Sequence, residues 1–323
     1  MCTAVSLKTR DHYFGRTLDL EHSFLESVTV TPRHYPFIFR RRPQMDTHLA
    51  MIGMASIVDG YPLYYDAANE LGLSMAGLNF PHNAYYPPEA DGAENVSPFE
   101  LIPFILGSCD SVPQAKALLD RIHIAAIPFS KELPLSPLHW MIADRNRSIV
   151  VELMKDGLHI HDNPVGVMTN NPPFDFHMTN LTQYTALSPD QPESRFGGAA
   201  ELVLPSRGMG ALGLPGDLSS PSRFIRAAYT KAYSACSEDE AASVSQFFHI
   251  LGSVRHVRGS VMTGDLPEIT LYSSCCNTDK GIYYYTTYEN SRICAVDMHR
   301  ENLDGKKLVS FPLQKEWDIL WQN

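Results

Sequence analysis

A cysteine stands directly behind the initiator methionine, in Met1-Cys2-Thr3-Ala4-Val5, and opens an apolar run with no basic leader. If Met1 is removed, Cys2 carries a thiol and a free α-amine on one α-carbon. The amine has an ordinary pKa of roughly 7.7–8 and the thiol one of about 8.5, so near neutral pH one can take the proton of the other. Nucleophile and base then sit on a single residue, the chemistry of an N-terminal nucleophile. The competing reading is a small apolar residue that opens a buried strand. Further polar positions in apolar or turn-rich settings are Arg16 with Asp19, Asn79, Asn170 and Arg223. Asn79 and Asn170 each follow a predicted strand and precede a Pro. Strand ends are where an Asn amide or a backbone N–H can be presented to an oxyanion; the alternative for each is a turn-forming Asn. Arg223 stands at a predicted helix start, where the dipole disfavours a cation. It therefore pairs with a carboxylate such as Asp19, or lies in solvent.

The elements that position these residues follow from pattern. Cys2–Lys8 and His12–Leu18 read as strands, with Thr9, Arg10 and Asp11 as the turn of a hairpin. Folding it brings Arg16 to Leu18 alongside Cys2, so that Gly15–Asp19 borders the nucleophile. Arg16 and Asp19 are three apart and in a regular strand face opposite ways. Both reach one site only if the strand ends or bends near Leu18. Further strands are predicted at Ser27–Thr31, Leu49–Val58, Pro62–Asp66 and Leu73–Leu78. A helix opens at Ser97 or Pro98 towards Cys109, and Ser111 caps another. A second block of strands covers Leu138–Ala143, Ser148–Met154, Gly157–His161 and Gly166–Thr169. Helices are predicted at Phe174–Tyr184, Phe224–Ala235 and Glu238–Val254, before a closing meander of Ile269–Cys275, Ile282–Tyr288 and Ile293–Asp297. Two strand blocks with helices between them, and no Rossmann or P-loop glycine pattern, predict α+β layers in one domain. The stretch 187–222 is rich in Pro, Gly and Ser and weakly periodic. A loop of that length reads as an assembly arm.

Composition narrows the function. With 44% hydrophobic and 19% charged residues, the 323-residue chain buries a sizeable core. A net charge of −10 argues against nucleic acid or an anionic membrane as partner. Arg40-Arg41-Arg42 reads as a solvated loop, with an anion patch as the alternative. No secretory leader and no window near 18 apolar residues appear, and six cysteines show no C-x-x-C spacing. A reduced, cytoplasmic protein is the expectation. Thirteen histidines show no H-x-x-x-H or H-E-x-x-H spacing, and His159-Ile160-His161 reads as a solvated strand face rather than a zinc site. A dyad built on an internal cysteine stays open, and predicts that Cys2→Ala keeps activity.

Together these segments resemble the choloylglycine hydrolase family, the bile salt hydrolases and penicillin V acylases. The resemblance rests on Met1-Cys2-Thr3, Phe14-Gly15-Arg16-Thr17-Leu18-Asp19, Ala76-Gly77-Leu78-Asn79-Phe80-Pro81 and Leu138-His139-Trp140-Met141. It continues through Thr169-Asn170-Asn171-Pro172, Leu214-Pro215-Gly216-Asp217, Ser222-Arg223-Phe224-Ile225-Arg226 and Gly281-Ile282-Tyr283-Tyr284-Tyr285, over essentially the whole length. It implies a four-layer αββα sandwich of two antiparallel sheets, a homotetramer built partly through the 187–222 arm, and a bacterial host.

The resemblance also implies roles. Cys2, freed of Met1, attacks the amide of a glycine- or taurine-conjugated bile acid, and its α-amine moves the proton. Asp19 holds that amine and Arg16 favours the thiolate. Asn170 and the Asn79 locus stabilise the oxyanion, Arg223 balances charge, and no metal or organic cofactor is needed. Leu18, Val58, Tyr65, Phe129 and Leu133 are carried over as walls of the steroid slot, against the plain reading that apolar loop residues pack. Bile salt hydrolases tend to have Asn where penicillin V acylases have Tyr, so Asn79 points to bile salts. The competing functions are a penicillin V or N-acyl-homoserine lactone acylase, and an inactive amphiphile-binding protein.

Overall fold

Strand runs such as Met51–Val58 are apolar on both faces, and each face meets a different core. Ile52 and Met54 point into a core shared by two sheets, while Met51 and Ala55 point into a second core under helices. Side chains alternate across a strand, so a strand buried on both faces carries a nearly unbroken apolar run. That accounts for the weak alternation of this chain. The structure, a computed structural model, describes residues 1–194, 196–197 and 202–323.

The first strands are β1 (Cys2–Lys8), β2 (His12–Leu20), β3 (Ser27–Thr31), β4 (Met51–Val58), β5 (Tyr61–Asn69) and β6 (Ser74–Asn79). Helices α1 (Leu101–Ser108) and α2 (Val112–Leu119) follow, then β7 (Leu138–Ala143), β8 (Ser148–Met154), β9 (Gly157–Asp162) and β10 (Val167–Met168). Next come α3 (Phe174–Leu181), α4 (Ser220–Ala232) and α5 (Glu240–Gly252). The chain closes with β11 (Ile269–Asn277), β12 (Ile282–Thr287), β13 (Cys294–Asp297) and β14 (Val309–Pro312). One sheet runs β10-β1-β2-β11-β12-β13 and the other β9-β8-β7-β6-β5-β4-β3-β14. Every pairing within them is antiparallel.

The layers follow from who shares a core. Ala4 and Leu18 of the first sheet bury against Met54, Ala76 and Met141 of the second. Phe224, Ile225 and Phe247 of α4 and α5 cover the far side of the first sheet, and Leu101, Ile105 and Val112 of α1 and α2 cover the second. The result is a four-layer αββα sandwich. The expected Cys2–Lys8 hairpin and all the longer strands are present. Three boundaries differ in ways that matter. β2 continues through Leu20, α4 begins at Ser220, and Pro98–Glu100 is a 3₁₀ turn ahead of α1. Of the stretch 187–222, residues 195 and 198–201 lie outside the described residues. Among the described residues no helix is long and apolar enough to cross a membrane. The Arg40-Arg41-Arg42 run is no open anion patch, since Arg41 pairs with Glu89 and Arg42 with Glu94.

Candidate active site

Register places Cys2. In the β1–β2 hairpin Cys2 pairs with Leu18, Thr3 with Thr17 and Ala4 with Arg16. Directly paired residues project to the same face. Cys2 and Arg16 therefore point into the layer between the sheets, and Thr3, Thr17 and Asp19 point towards the helices. The condition that the strand end or bend near Leu18 is not how the two residues reach one site. β2 stays regular, and Cys2, at the start of β1, is approached from both faces.

The irregularity lies in the neighbouring strand. Asp19 pairs with Thr270 and Leu18 with Tyr272, so β11 bulges at Leu271. The extra residue puts Thr270 and Tyr272 on opposite faces, although they are two apart. Thr270 then donates to Asp19 Oδ1 (2.6 Å) on the helix side, and Tyr272 reaches the inner layer.

On the helix side, Asp19 also accepts from Thr17 Oγ1 (3.0 Å), and Thr17 Oγ1 accepts from the Thr3 N–H (3.1 Å). The Met1 ammonium donates to the Asp19 carbonyl (2.5 Å) and pairs with Glu268 Oε1 (2.7 Å). Burial pushes the Glu268 carboxyl up, but His256 and the Met1 ammonium outweigh it and hold the group below its ordinary range. His256 is wholly buried, with Nδ1 2.9 Å from Glu268 Oε1 and Nε2 3.9 Å from Asp19 Oδ2.

Asn170 and Arg223 close the site. The Cys2 N–H donates to Asn170 Oδ1 (2.7 Å), as does Arg223 Nη2 (2.8 Å), and Asn170 Nδ2 donates to the Asn79 carbonyl (2.6 Å). Arg223 Nη1 donates to the Cys2 carbonyl and to Thr3 Oγ1, both at 2.6 Å, and Nε donates to the Leu218 carbonyl (3.0 Å). Arg223 is therefore neither solvated nor directly ion-paired with Asp19. It sits one turn inside α4 and is fully buried, held by carbonyls and a hydroxyl. Burial lowers its pKa, opposed by the fields of Asp19, Cys2 and Glu268. His177 of α3 reaches the Asn170 carbonyl with Nε2 (2.9 Å) and so anchors the loop that carries the amide.

In the inner layer Arg16 is 1 % exposed and donates through Nη1 to the carbonyls of Gly77 (2.5 Å) and Tyr65 (3.2 Å). Burial opposes its charge, yet Cys2, Tyr272, Asp66 and Asp19 together raise its pKa. Asp66 lies behind it, accepting from Tyr272 (2.7 Å), Tyr283 (2.7 Å) and Ser274 (3.1 Å). Burial pushes the Asp66 carboxyl up against that support.

The profile of the linear amide C–N hydrolases, choloylglycine hydrolase family, matches residues 2–311. The chain belongs to this family. It is an amide hydrolase by membership, and several relatives are alike over their full length. A bile salt hydrolase/transferase of Lactiplantibacillus plantarum is 52% identical over 317 residues, 98% of each chain. One from Bifidobacterium longum is 41% identical, over 96% of this chain and 99% of its own. A crystal structure of a variant of the conjugated bile acid hydrolase from Clostridium perfringens superposes with a TM-score of 0.92 at 40% identity, covering 100% of both chains.

Of the residues expected to act in the reaction, Cys2, Arg16, Asp19, Asn170 and Arg223 converge, and Asn79 joins through its carbonyl while its side chain stays exposed. The slot residues scatter more. Leu18 is the cross-strand partner of Cys2, and the Tyr65 carbonyl holds Arg16. Val58 ends β4 at the turn to β5, two residues past Ser56, which bonds Tyr65 Oη (2.9 Å). Phe129 packs against Tyr61 and Phe99 beneath Arg40, in the core under α1. Leu133 donates its N–H to Ser130 Oγ in the loop beyond (3.1 Å).

Sequence reasoning missed Glu268, His256, Thr270 and Asp66. Thr17 carried a signal, since residues two apart in a strand share a face, which joins it to Asp19. His161 is half-buried beside Phe174 and Glu152, while His159 faces the exposed Asp156 at 3.0 Å.

Proposed function

We propose that this chain hydrolyses the amide bond of glycine- or taurine-conjugated bile acids, with Cys2, freed of Met1, as nucleophile. The observation that carries the reading is the enclosure of the Cys2 nitrogen. Asn170 Oδ1 accepts from it at 2.7 Å, Arg223 Nη1 holds the carbonyl of the same residue, and the Asp19 backbone brackets Met1 before it. Support for the substrate comes from the relatives, whose names are bile salt hydrolase/transferase and conjugated bile acid hydrolase.

In this mechanism the Cys2 α-amine takes the thiol proton and the thiolate attacks the scissile carbonyl. Arg16, on the same face of the hairpin as the thiol, favours the thiolate. The tetrahedral oxyanion collapses, the C–N bond breaks, and the α-ammonium protonates the departing glycine or taurine. Water, deprotonated by the same amine, then cleaves the thioester and regenerates the thiol. The Asn170 amide and the Asn79 locus serve the oxyanion; loss of one such donor costs on the order of 10²-fold or more in rate. Asp19 keeps the amine in place, and Arg223 offsets Asp19 and Glu268. The steroid lies over Leu18, Val58, Tyr65, Phe129 and Leu133.

The whole chain acts as one catalytic domain in the bacterial cytoplasm. The 187–222 stretch serves as an arm of a homotetramer, supported by exposed Phe196, Val203 and Leu212. Size-exclusion chromatography with light scattering checks the oligomer.

The deciding experiment measures amine release from glycocholate, taurocholate and penicillin V, with Cys2→Ala beside the wild type. Release from the bile salts, absent in Cys2→Ala, supports the reading. Release from penicillin V alone, or a fully active Cys2→Ala, overturns it.

A further inference from the structure

We infer that His256 is a positioning residue for the reaction, keeping Glu268 engaged so that Asp19 is left to the Cys2 α-amine; the inference rests on the N-terminal nucleophile reading above. His256 lies in the loop between α5 and β11, and its ring is fully buried. The two ring nitrogens face different carboxylates, Glu268 at 2.9 Å and Asp19 at 3.9 Å, and neither makes an aligned hydrogen bond. Burying an imidazole this way costs free energy that apolar packing does not require.

The backbone, not the ring, anchors the residue. The His256 N–H donates to Thr270 Oγ1 (2.8 Å), and Thr270 donates its N–H back to the His256 carbonyl (3.2 Å) and its hydroxyl to Asp19. Truncating the side chain therefore leaves the Thr270–Asp19 bond in place and isolates what the ring does. A cleft of about 140 Å³ lies against this loop, lined in part by Arg255, His256 and Thr270.

Charge decides the role. Facing the ring are Asp19 from β2, Glu268 and Thr270 at the entry to β11, and the N-terminal ammonium. Arg223 from α4 and Arg255 from its own loop both act on Asp19 through space. In the chain that begins at Met1, the ammonium occupies Glu268. Once Met1 is gone the positive end moves one residue inward, to the Cys2 nitrogen, and among the described residues Glu268 keeps His256 beside it. Without the ring, Glu268 and Asp19 both act on the new amine. An ammonium between two carboxylates holds its proton more tightly. The base is then protonated, and idle, up to a higher pH.

The test compares wild type, His256→Ala, His256→Gln and Glu268→Gln in the Met1-free form, checked by intact mass. Their pH profiles of amine release from glycocholate are measured beside the pH dependence of Cys2 alkylation by iodoacetamide, which needs no substrate. For His256→Ala the expected result is an acid limb moved up by about one pH unit. Its kcat falls about tenfold with KM little changed. Glu268→Gln moves the limb the other way, and His256→Gln recovers most of the loss. Opposite shifts are not what general loosening of the fold produces. Unshifted limbs in both assays, or shifts of the same sign in His256→Ala and Glu268→Gln, overturn the role of His256 alone. Met1 retained on the wild type overturns the nucleophile reading and this role with it.

Discussion

Asn170 accepts two hydrogen bonds on one oxygen, from Cys2 and Arg223, and gives one from its nitrogen to the Asn79 carbonyl. Its loss strips a guanidinium and the Cys2 nitrogen of a buried acceptor. Asn170→Ala is therefore expected to lower kcat by about 10²-fold or more, and to cost about 1–3 kcal/mol of stability for the donors left unpaired. Steady-state kinetics and urea titration separate the two effects. Arg223 is equally unforgiving, because its planar fork serves four acceptors in different directions. Lysine offers a single point charge without that geometry, so Arg223→Lys should lose most activity while keeping the charge. A nearly active Arg223→Lys would show that charge alone suffices there.

At the scale of elements, the β2–β11 pair is the frame of the site, since Arg16, Leu18 and Asp19 on one strand are set by Thr270, Tyr272 and Ser274 on the other. Their approach depends on Gly15. A Cβ there would overlap the Ser274 carbonyl and come within 2.9 Å of the Cys275 Cα, backbone atoms that cannot step aside. Gly15→Ala is expected to destabilise the fold by about 3 kcal/mol, seen as a lower urea midpoint, and to reduce activity further by tilting Asp19. Helix α3 has a similar duty. Glu152 takes the Phe174 N–H at its first turn with both carboxylate oxygens (3.1 and 3.2 Å), and His177 one turn on holds the Asn170 carbonyl. The loop that carries Asn170 is thus clamped by a helix of eight residues.

For the whole molecule, buried histidines set a lower limit on pH. Burial lowers His12 and His177 to a pKa of about 4 in the folded chain, against about 6.5 unfolded. Between those values the unfolded chain binds more protons, so stability is full above about pH 6.5 and falls as pH drops towards 4. Each group accounts for up to about 3 kcal/mol of that loss. Urea midpoints measured from pH 7 down to 4 should therefore decline steadily. A level series would mean that the two rings stay solvated in the folded chain. The Nε2–H of His177 that holds the Asn170 carbonyl survives protonation, which adds its proton at Nδ1, a buried atom with no partner among the described residues, so activity should fall together with the fold rather than ahead of it.

Local pattern was enough to read the first hairpin with Cys2 at its head, the two strand blocks and the layered α+β architecture. Each is encoded within a few residues, by the place of Cys2, the turn after Lys8 and the run lengths of buried strands. Family motifs turned Cys2 into a candidate nucleophile and set Arg16, Asp19, Asn170 and Arg223 beside it as candidates. What the chain order does not contain is which strand lies next to β2, and with what register. Only the folded β2–β11 pair, bulged at Leu271, brings Thr270 to Asp19 across 251 positions. The same placement brings Glu268 and His256 to the start of the chain and Tyr272 and Tyr283 to Asp66. These contacts leave no local signature, because a buried polar group needs a partner in space and takes it from whichever strand the core has set beside it.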